Sequence, residues 1–192
     1  MKVYIVLLLV VLWFTLSQKH SNMVFDERYG VAVIKGDTEI TAMAILRKAK
    51  RSLNVLLESL SNVDTISLRD VYKKLEHIKD NGVYLVEHRP VRSSMHVAFV
   101  YTQARKIHLC LFDKNGTPVD NEVLFSVLLH EITHFTVDEN DKVDNFSLHS
   151  NLFKSNEKLL VSLACTLGLL PEGGVVGRKY CDTVIPNPFF SK

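Results

Sequence analysis

The stretch His130-Glu131-Ile132-Thr133-His134 combines residue types and a spacing suited to hydrolytic chemistry. On a helix, side chains four residues apart lie one above the other on one face. His130 and His134 can then offer two ring nitrogens to a single Zn²⁺ at about 2.0–2.1 Å each. Glu131 stands beside the first, where a carboxylate reaches a metal-bound water as general base. With 8 His in 192 residues, roughly 0.02 chance occurrences of the pentapeptide are expected. The competing reading is a buried helix with two incidental histidines. Unpaired imidazoles and a carboxylate are costly, however, beside the apolar run that precedes them, Val123 to Leu129.

Catalytic zinc usually keeps three protein ligands and an open position. Fourteen residues, Phe135 to Leu148, separate His134 from His149, and Asp138 to Asp144 among them read as a polar loop. His149 then opens a helix with Leu152, Phe153, Leu159, Leu160, Leu163 and Leu167 on its apolar face. That spacing directs His149 to metal and Phe153 to core. Asp138, Glu139, Asp141 and Asp144 are the competing ligands and read instead as solvated loop charges. Tyr101 and Tyr180 are candidate oxyanion partners, because a phenol can donate to a developing negative charge; each also reads as a packing residue.

These residues need a scaffold. Asp120 is an N-cap candidate for the metal helix, and Glu122 adds negative charge to its first turn. The pattern predicts a helix over 38–60, with Ile40, Met43, Leu46, Leu53, Leu56, Leu57 and Leu60 buried. Arg47, Lys48, Lys50 and Arg51 form a basic cluster on it, read as a solvated face. A second helix spans 67–80, with Ser67 and Asp70 as a capping-box variant and Asn81-Gly82 as its stop. Strands are expected at 31–34 and 83–87, and a hairpin at 95–102 and 106–112. His96 and His108 then fall on solvent-side strand positions. Leu170-Pro-Glu-Gly-Gly174 is expected to end the His149 helix, and Thr183-Val184-Ile185 is strand-like.

His-Glu-Ile-Thr-His, a loop, and then His149-x-x-x-Phe153 resemble the SprT/WLM-like zinc metallopeptidases. Lys106-Ile-His-Leu-Cys-Leu111, Asp120-Asn121, Tyr180-Cys181, Ile185 and Asn187-Pro188 are similar to WLM-domain proteins of large DNA viruses. The resemblance implies an α+β zincin-like domain: N-terminal helices, a short β-sheet or hairpin, the HExxH helix and a third-ligand helix. It implies Zn²⁺ as cofactor, His130, His134 and His149 as ligands, Glu131 as catalytic base and a peptide or protein as substrate. It also implies an edge strand, Ala98–Thr102 or Ile107–Phe112, that pairs with extended substrate. Two other functions stay open. One is a zinc-stabilised interaction module without turnover; the other is a SprT-like DNA–protein crosslink protease.

The length fits one domain plus a leader, and the 47% hydrophobic content suffices for a core. A net charge of +2 gives no electrostatic case for nucleic acid. Residues 1–17 read as a signal peptide or signal anchor: Lys2 precedes the largely apolar run Val3 to Leu16. This implies a membrane-anchored or secreted protein, at a host membrane or virion if the viral resemblance holds. Residues 18–37 read as a juxtamembrane segment and 38–192 as the metallopeptidase domain. Asn115-Gly-Thr117 and Asn145-Phe-Ser147 are glycosylation sequons. Of Cys110, Cys165 and Cys181, the first and last could bridge, but buried or free thiols are the plainer expectation on apolar stretches.

Overall fold

The computed structural model describes residues 22–63, 65–90, 97–137, 149–172, 175 and 177–184. Strands β1 (Met23–Asp26) and β2 (Val31–Ile34) form an antiparallel pair. Helices α1 (Glu39–Ser61) and α2 (Ile66–Asn81) follow, then β3 (Tyr84–His88), β4 (Ala98–Tyr101) and β5 (Lys106–Cys110). The metal-motif helix α3 is Asn121–Thr133, continued by a 3₁₀ turn over His134–Thr136. Helix α4 (Asn151–Thr166) and a small antiparallel pair, β6 (Lys179–Tyr180) and β7 (Thr183–Val184), follow. Among the described residues this is a mixed α/β domain with four helices and a five-stranded sheet of order β1-β2-β3-β5-β4.

The register sorts the sheet into two faces. Val31, Leu85, Ile107 and Val100 lie in one cross-strand row, and Ala32, Val86, His108 and Phe99 in the adjacent one. Successive strand residues point to opposite faces. The first row joins the core with α1 residues Leu46, Leu53, Leu56 and Leu57 and α3 residues Leu124, Leu128 and Ile132. Fully burying one such leucine contributes about 1.5–3 kcal/mol, and truncating Leu53 to Ala would cost about 2–5 kcal/mol. The second face carries a ring cluster in which Phe99 stacks on His108 at 4.6 Å and meets His88 edge-on at 4.9 Å. Tyr101 and Phe25 on that face are 57% and 60% exposed.

Several expectations change. The segment 18–37 was expected to hold one strand beside a membrane; its described part supplies two strands of the sheet. Ile40 is exposed rather than buried, and Lys50 is buried rather than solvated. The Lys50 ammonium donates to the Val83 carbonyl at 2.5 Å, and burial lowers its pKa to about 8. The α2 N-cap is Thr65, without a side-chain cap bond, so the Ser67–Asp70 box does not form. Helix α4 stops at Gly168, whose φ of 67° suits glycine, rather than at 170–174. Cys110 and Cys181 are disulfide-bonded, against the expectation of thiols, and Cys165 alone is free. The two cysteines approach because the β6–β7 turn lies over the end of β5.

The expected membrane or secreted placement is also corrected. Among the described residues no helix is long and apolar enough to cross a membrane. The segment 1–17, on which that expectation rested, lies outside the described residues. So do His96, Asp138, Glu139, Asp141, Asp144, the Asn145 sequon, Gly173-Gly174, Ile185 and Asn187-Pro188.

Candidate metal centre

Helix α3 begins as the sequence suggests. The Asp120 carboxylate accepts from the Glu122 and Val123 amides at 2.8 and 3.3 Å, satisfying two free donors of the first turn. Residues Val123–Leu129 are buried on every side, so α3 is the central helix of the domain. Its far end is fixed by short polar contacts. Thr133 Oγ1 donates to the Leu129 carbonyl at 2.8 Å and Thr136 Oγ1 to the Thr133 carbonyl at 2.6 Å. Asn156 of α4 donates to Thr136 Oγ1 at 3.0 Å, tying the 3₁₀ turn to the neighbouring helix. Both helices at the site are thus held by groups that cannot slide without losing buried hydrogen bonds.

The three histidines converge. His130 sits on the last turn of α3, His134 opens the 3₁₀ turn, and His149 precedes the α4 N-cap Ser150. One ligand atom from each lies within 4.8 Å of the others. Their ring centroids are 4.7 to 5.3 Å apart. Ser150 Oγ accepts from the Phe153 amide at 3.1 Å, so His149 enters from just outside the helix rather than from its first turn. Phe153 does not turn away to the core alone. Its ring packs on all three histidines, at 5.1, 4.7 and 4.0 Å from His130, His134 and His149.

The buried face of α4 is rotated from the expected one. It consists of Phe153, Asn156, Glu157, Leu160, Val161 and Ala164, while Leu152 is exposed. Glu157 on this face meets His130: its Oε1 lies 2.7 Å from Nδ1. The sequence reading did not single out Glu157. Its signal was a carboxylate four residues after Phe153, on the same helical stripe.

Burial governs the protonation of the cluster. It holds the Glu131 carboxyl up to about 7, with the His130 charge opposing and the Glu157 charge adding to the shift. Burial disfavours the His130 imidazolium, but the Glu157 hydrogen bond and the charges of Glu131 and Glu157 outweigh it and raise the pKa. His149 is lowered to about 4 by burial and by the positive charges of His130 and Lys154. A neutral His149 has a lone pair to offer, and among the described residues three imidazoles gather there, a donor set that matches an open zinc site.

The two oxyanion candidates fall in different parts of the fold. Tyr101 lies on β4 within the ring cluster of the sheet face turned away from the core. Tyr180 is 1% exposed, and burial together with the Glu131 charge pushes its phenol well up. Its hydroxyl has no hydrogen-bond partner among the described residues; the Cys110 amide tempers the shift without completing such a bond. The Tyr180 hydroxyl is thus buried within reach of the Glu131 charge. Of the two candidate substrate strands, β5 lies inside the sheet and β4 forms its edge.

No protein-family model matches the chain, and no curated protein matches it. Two solved structures are similar. One is a crystal structure of a Wss1 mutant from Saccharomyces cerevisiae, with 18% identity and a TM-score of 0.43, covering 72% of this chain and 93% of that one. The other is a crystal structure of Wss1 from the same yeast, with 21% identity and a TM-score of 0.36, covering 54% and 77%. Likenesses this distant assign no role to any residue here, and neither links the chain to large DNA viruses.

Proposed function

We propose that this chain is a zinc-dependent metallopeptidase of the HExxH type, with His130, His134 and His149 holding the metal. The observation that carries this reading is the convergence of the three imidazoles beside buried Glu131. Bound there, zinc supplies a Lewis acid that acidifies water and polarises a scissile carbonyl. The protein's own part is positional. Helix α3 and the 3₁₀ turn that continues it hold two imidazoles one turn apart, and Phe153 packs the third against them. Glu131 takes a proton from the attacking water onto its carboxylate and delivers it to the leaving amine. Its pKa near 7 suits both halves of that exchange. The edge of β4, unpaired among the described residues, can add an extended peptide as a further strand, reading backbone rather than side chains.

A zinc-stabilised module without turnover is the second reading. It is favoured by the depth of Glu131, which is only 6% exposed. One experiment separates the two. Purified protein is assayed for zinc content and for cleavage of a broad peptide library, alongside Glu131→Gln. We expect about one zinc per chain in both proteins and cleavage by the wild type alone, the variant losing about 10²–10⁴-fold or more. Zinc with no cleavage by the wild type supports the second reading. A wild type without zinc overturns both.

A further inference from the structure

The carboxylate of Glu157 is placed where helix packing alone would favour an apolar side chain. It is 6% exposed on α4, with Phe153, Leu160, Val161 and Ala164 on the same buried face. Burying a carboxylate without a partner costs several kcal/mol or more. The partner here is His130 Nδ1 at 2.7 Å. An ionised carboxylate only accepts hydrogen bonds, and a neutral imidazole donates from one nitrogen and accepts at the other. The pair is therefore satisfied when Nδ1 carries the proton. Nε2 is then left with the lone pair.

We propose that Glu157 is a positioning residue that holds His130 in its Nδ1–H tautomer and fixes the plane of its ring, so that Nε2 is the nitrogen offered to the metal. The consequence for zinc rests on the metallopeptidase reading; the tautomer does not. Three features of the geometry support the assignment. The hydrogen bond crosses between α3 and α4, so ring and acceptor sit on separate elements held together by buried packing. The Thr136–Asn156 bond fixes the same two segments one residue away from Glu157, which restricts sliding of the acceptor past the ring. Phe153 closes another side of His130 at 5.1 Å, limiting rotation about the side-chain torsions. A carboxylate behind a ligating imidazole also raises its basicity as a donor.

The test uses metal-free full-length protein first. Ring nitrogen shifts of ¹⁵N-histidine, measured at a pH where His130 is neutral, report the tautomer in the wild type, Glu157→Gln and Glu157→Ala. We expect Nδ1–H in the wild type. Gln, which keeps an acceptor oxygen, should retain much of that signature, and Ala should shift the population toward Nε2–H. Zinc affinity by competition with a chelating dye should fall in the order wild type, Gln, Ala, with about 10–100-fold between the extremes. A merely structural role would not move the nitrogen shifts in a variant that remains folded by circular dichroism. An Nε2–H tautomer in the wild type overturns the proposal, as does a folded Ala variant with unchanged shifts. If Ala does not fold, the wild-type and Gln spectra still decide. A wild type with the Nδ1–H signature but no zinc affinity overturns the metallopeptidase reading and leaves the tautomer assignment standing.

Discussion

Cys110 and Cys181 are joined by a disulfide across 71 residues of sequence, which fastens the β6–β7 turn to the end of β5. The residue before the bridge, Tyr180, fills the core beside Glu131. Arg178, two residues earlier, pairs with Glu122 at 2.9 Å in the first turn of the metal helix. The bridge thus anchors a short segment that pairs with the first turn of α3 and fills the core with Tyr180. Loop-closure entropy gives a stabilisation of about 4 kcal/mol for a bridge of this span. Cys110→Ser with Cys181→Ser should lower the stability measured by urea unfolding by about 2–4 kcal/mol, and dithiothreitol should do the same to the wild type.

Tyr180→Phe removes a buried hydroxyl that has no partner among the described residues. Deleting an unsatisfied polar atom while keeping the ring is neutral or stabilising, by up to about 1–3 kcal/mol. Peptide cleavage should stay within about threefold of the wild type. A loss of about 10²-fold or more would instead mark the phenol as an oxyanion donor.

Lys50 ties stability to alkaline pH. Its pKa is lowered from 10.5 to about 8, so between those values the unfolded chain binds more protons than the folded one. Stability therefore rises with pH across this window. The cost of burying the ammonium is fully present below pH 8 and is relieved by pH 10.5. Relative to Lys50→Met, the wild type should gain about 3 kcal/mol over that range. Unfolding curves of both proteins at several pH values measure it; parallel curves would contradict the burial argument.

Zinc affinity should fall with acid in a defined order. Each imidazole must be neutral to ligate. The Glu157 contact raises the His130 pKa, so protons compete first at that residue. His149 joins only near its value of about 4. Calorimetric titrations between pH 5 and 8 should show proton release on binding that disappears once His130 is neutral in the free protein.

The third ligand is tested against the loop acids. His149→Ala should weaken zinc binding substantially and stop cleavage, while Asp138→Ala, Glu139→Ala, Asp141→Ala and Asp144→Ala should retain both. An acidic variant that loses zinc while His149→Ala keeps it would reverse the assignment. The argument is the rigidity of His149, stacked on Phe153 at 4.0 Å, since an imidazole locked by packing positions metal well.

The parts legible in the sequence were those with a local cause. Asp120 caps its helix because its carboxylate reaches two amides of the same turn, and β4 and β5 pair because a short turn joins them. Hydrophobic spacing also located α1, yet it placed Ile40 in the core, because periodicity cannot show where a helix end leaves it; Lys50, mid-helix, was read as solvated from its charge, and only the distant Val83 carbonyl accounts for its burial. The β1 strand was missed although Met23–Asp26 pairs locally with β2 across residues 27–30; a run this short carries too little alternation to mark a strand. Glu157 and the Cys110–Cys181 bridge depend on contacts 27 and 71 residues apart in sequence. The helical stripe through Phe153 places Glu157 on a face, but no local pattern names the partner of either. The rotation of α4 has the same origin, since its buried face is set by the polar groups that meet His130 and Thr136.

The two faces of the sheet divide the molecule into unequal territories. On one side, α1 and α3 interlock with Leu85, Ile107 and Leu109, so any change there is transmitted to the helix bearing the histidines. On the other, Phe25, Tyr84 and Tyr101 stand largely in solvent, separated from the histidine-bearing helix by the thickness of the sheet. That insulation makes the far face a place where sequence can drift, or be redesigned for solubility or attachment to a surface, at little expense to the chemistry. A protein built in this way can acquire new outward behaviour without disturbing its histidine cluster.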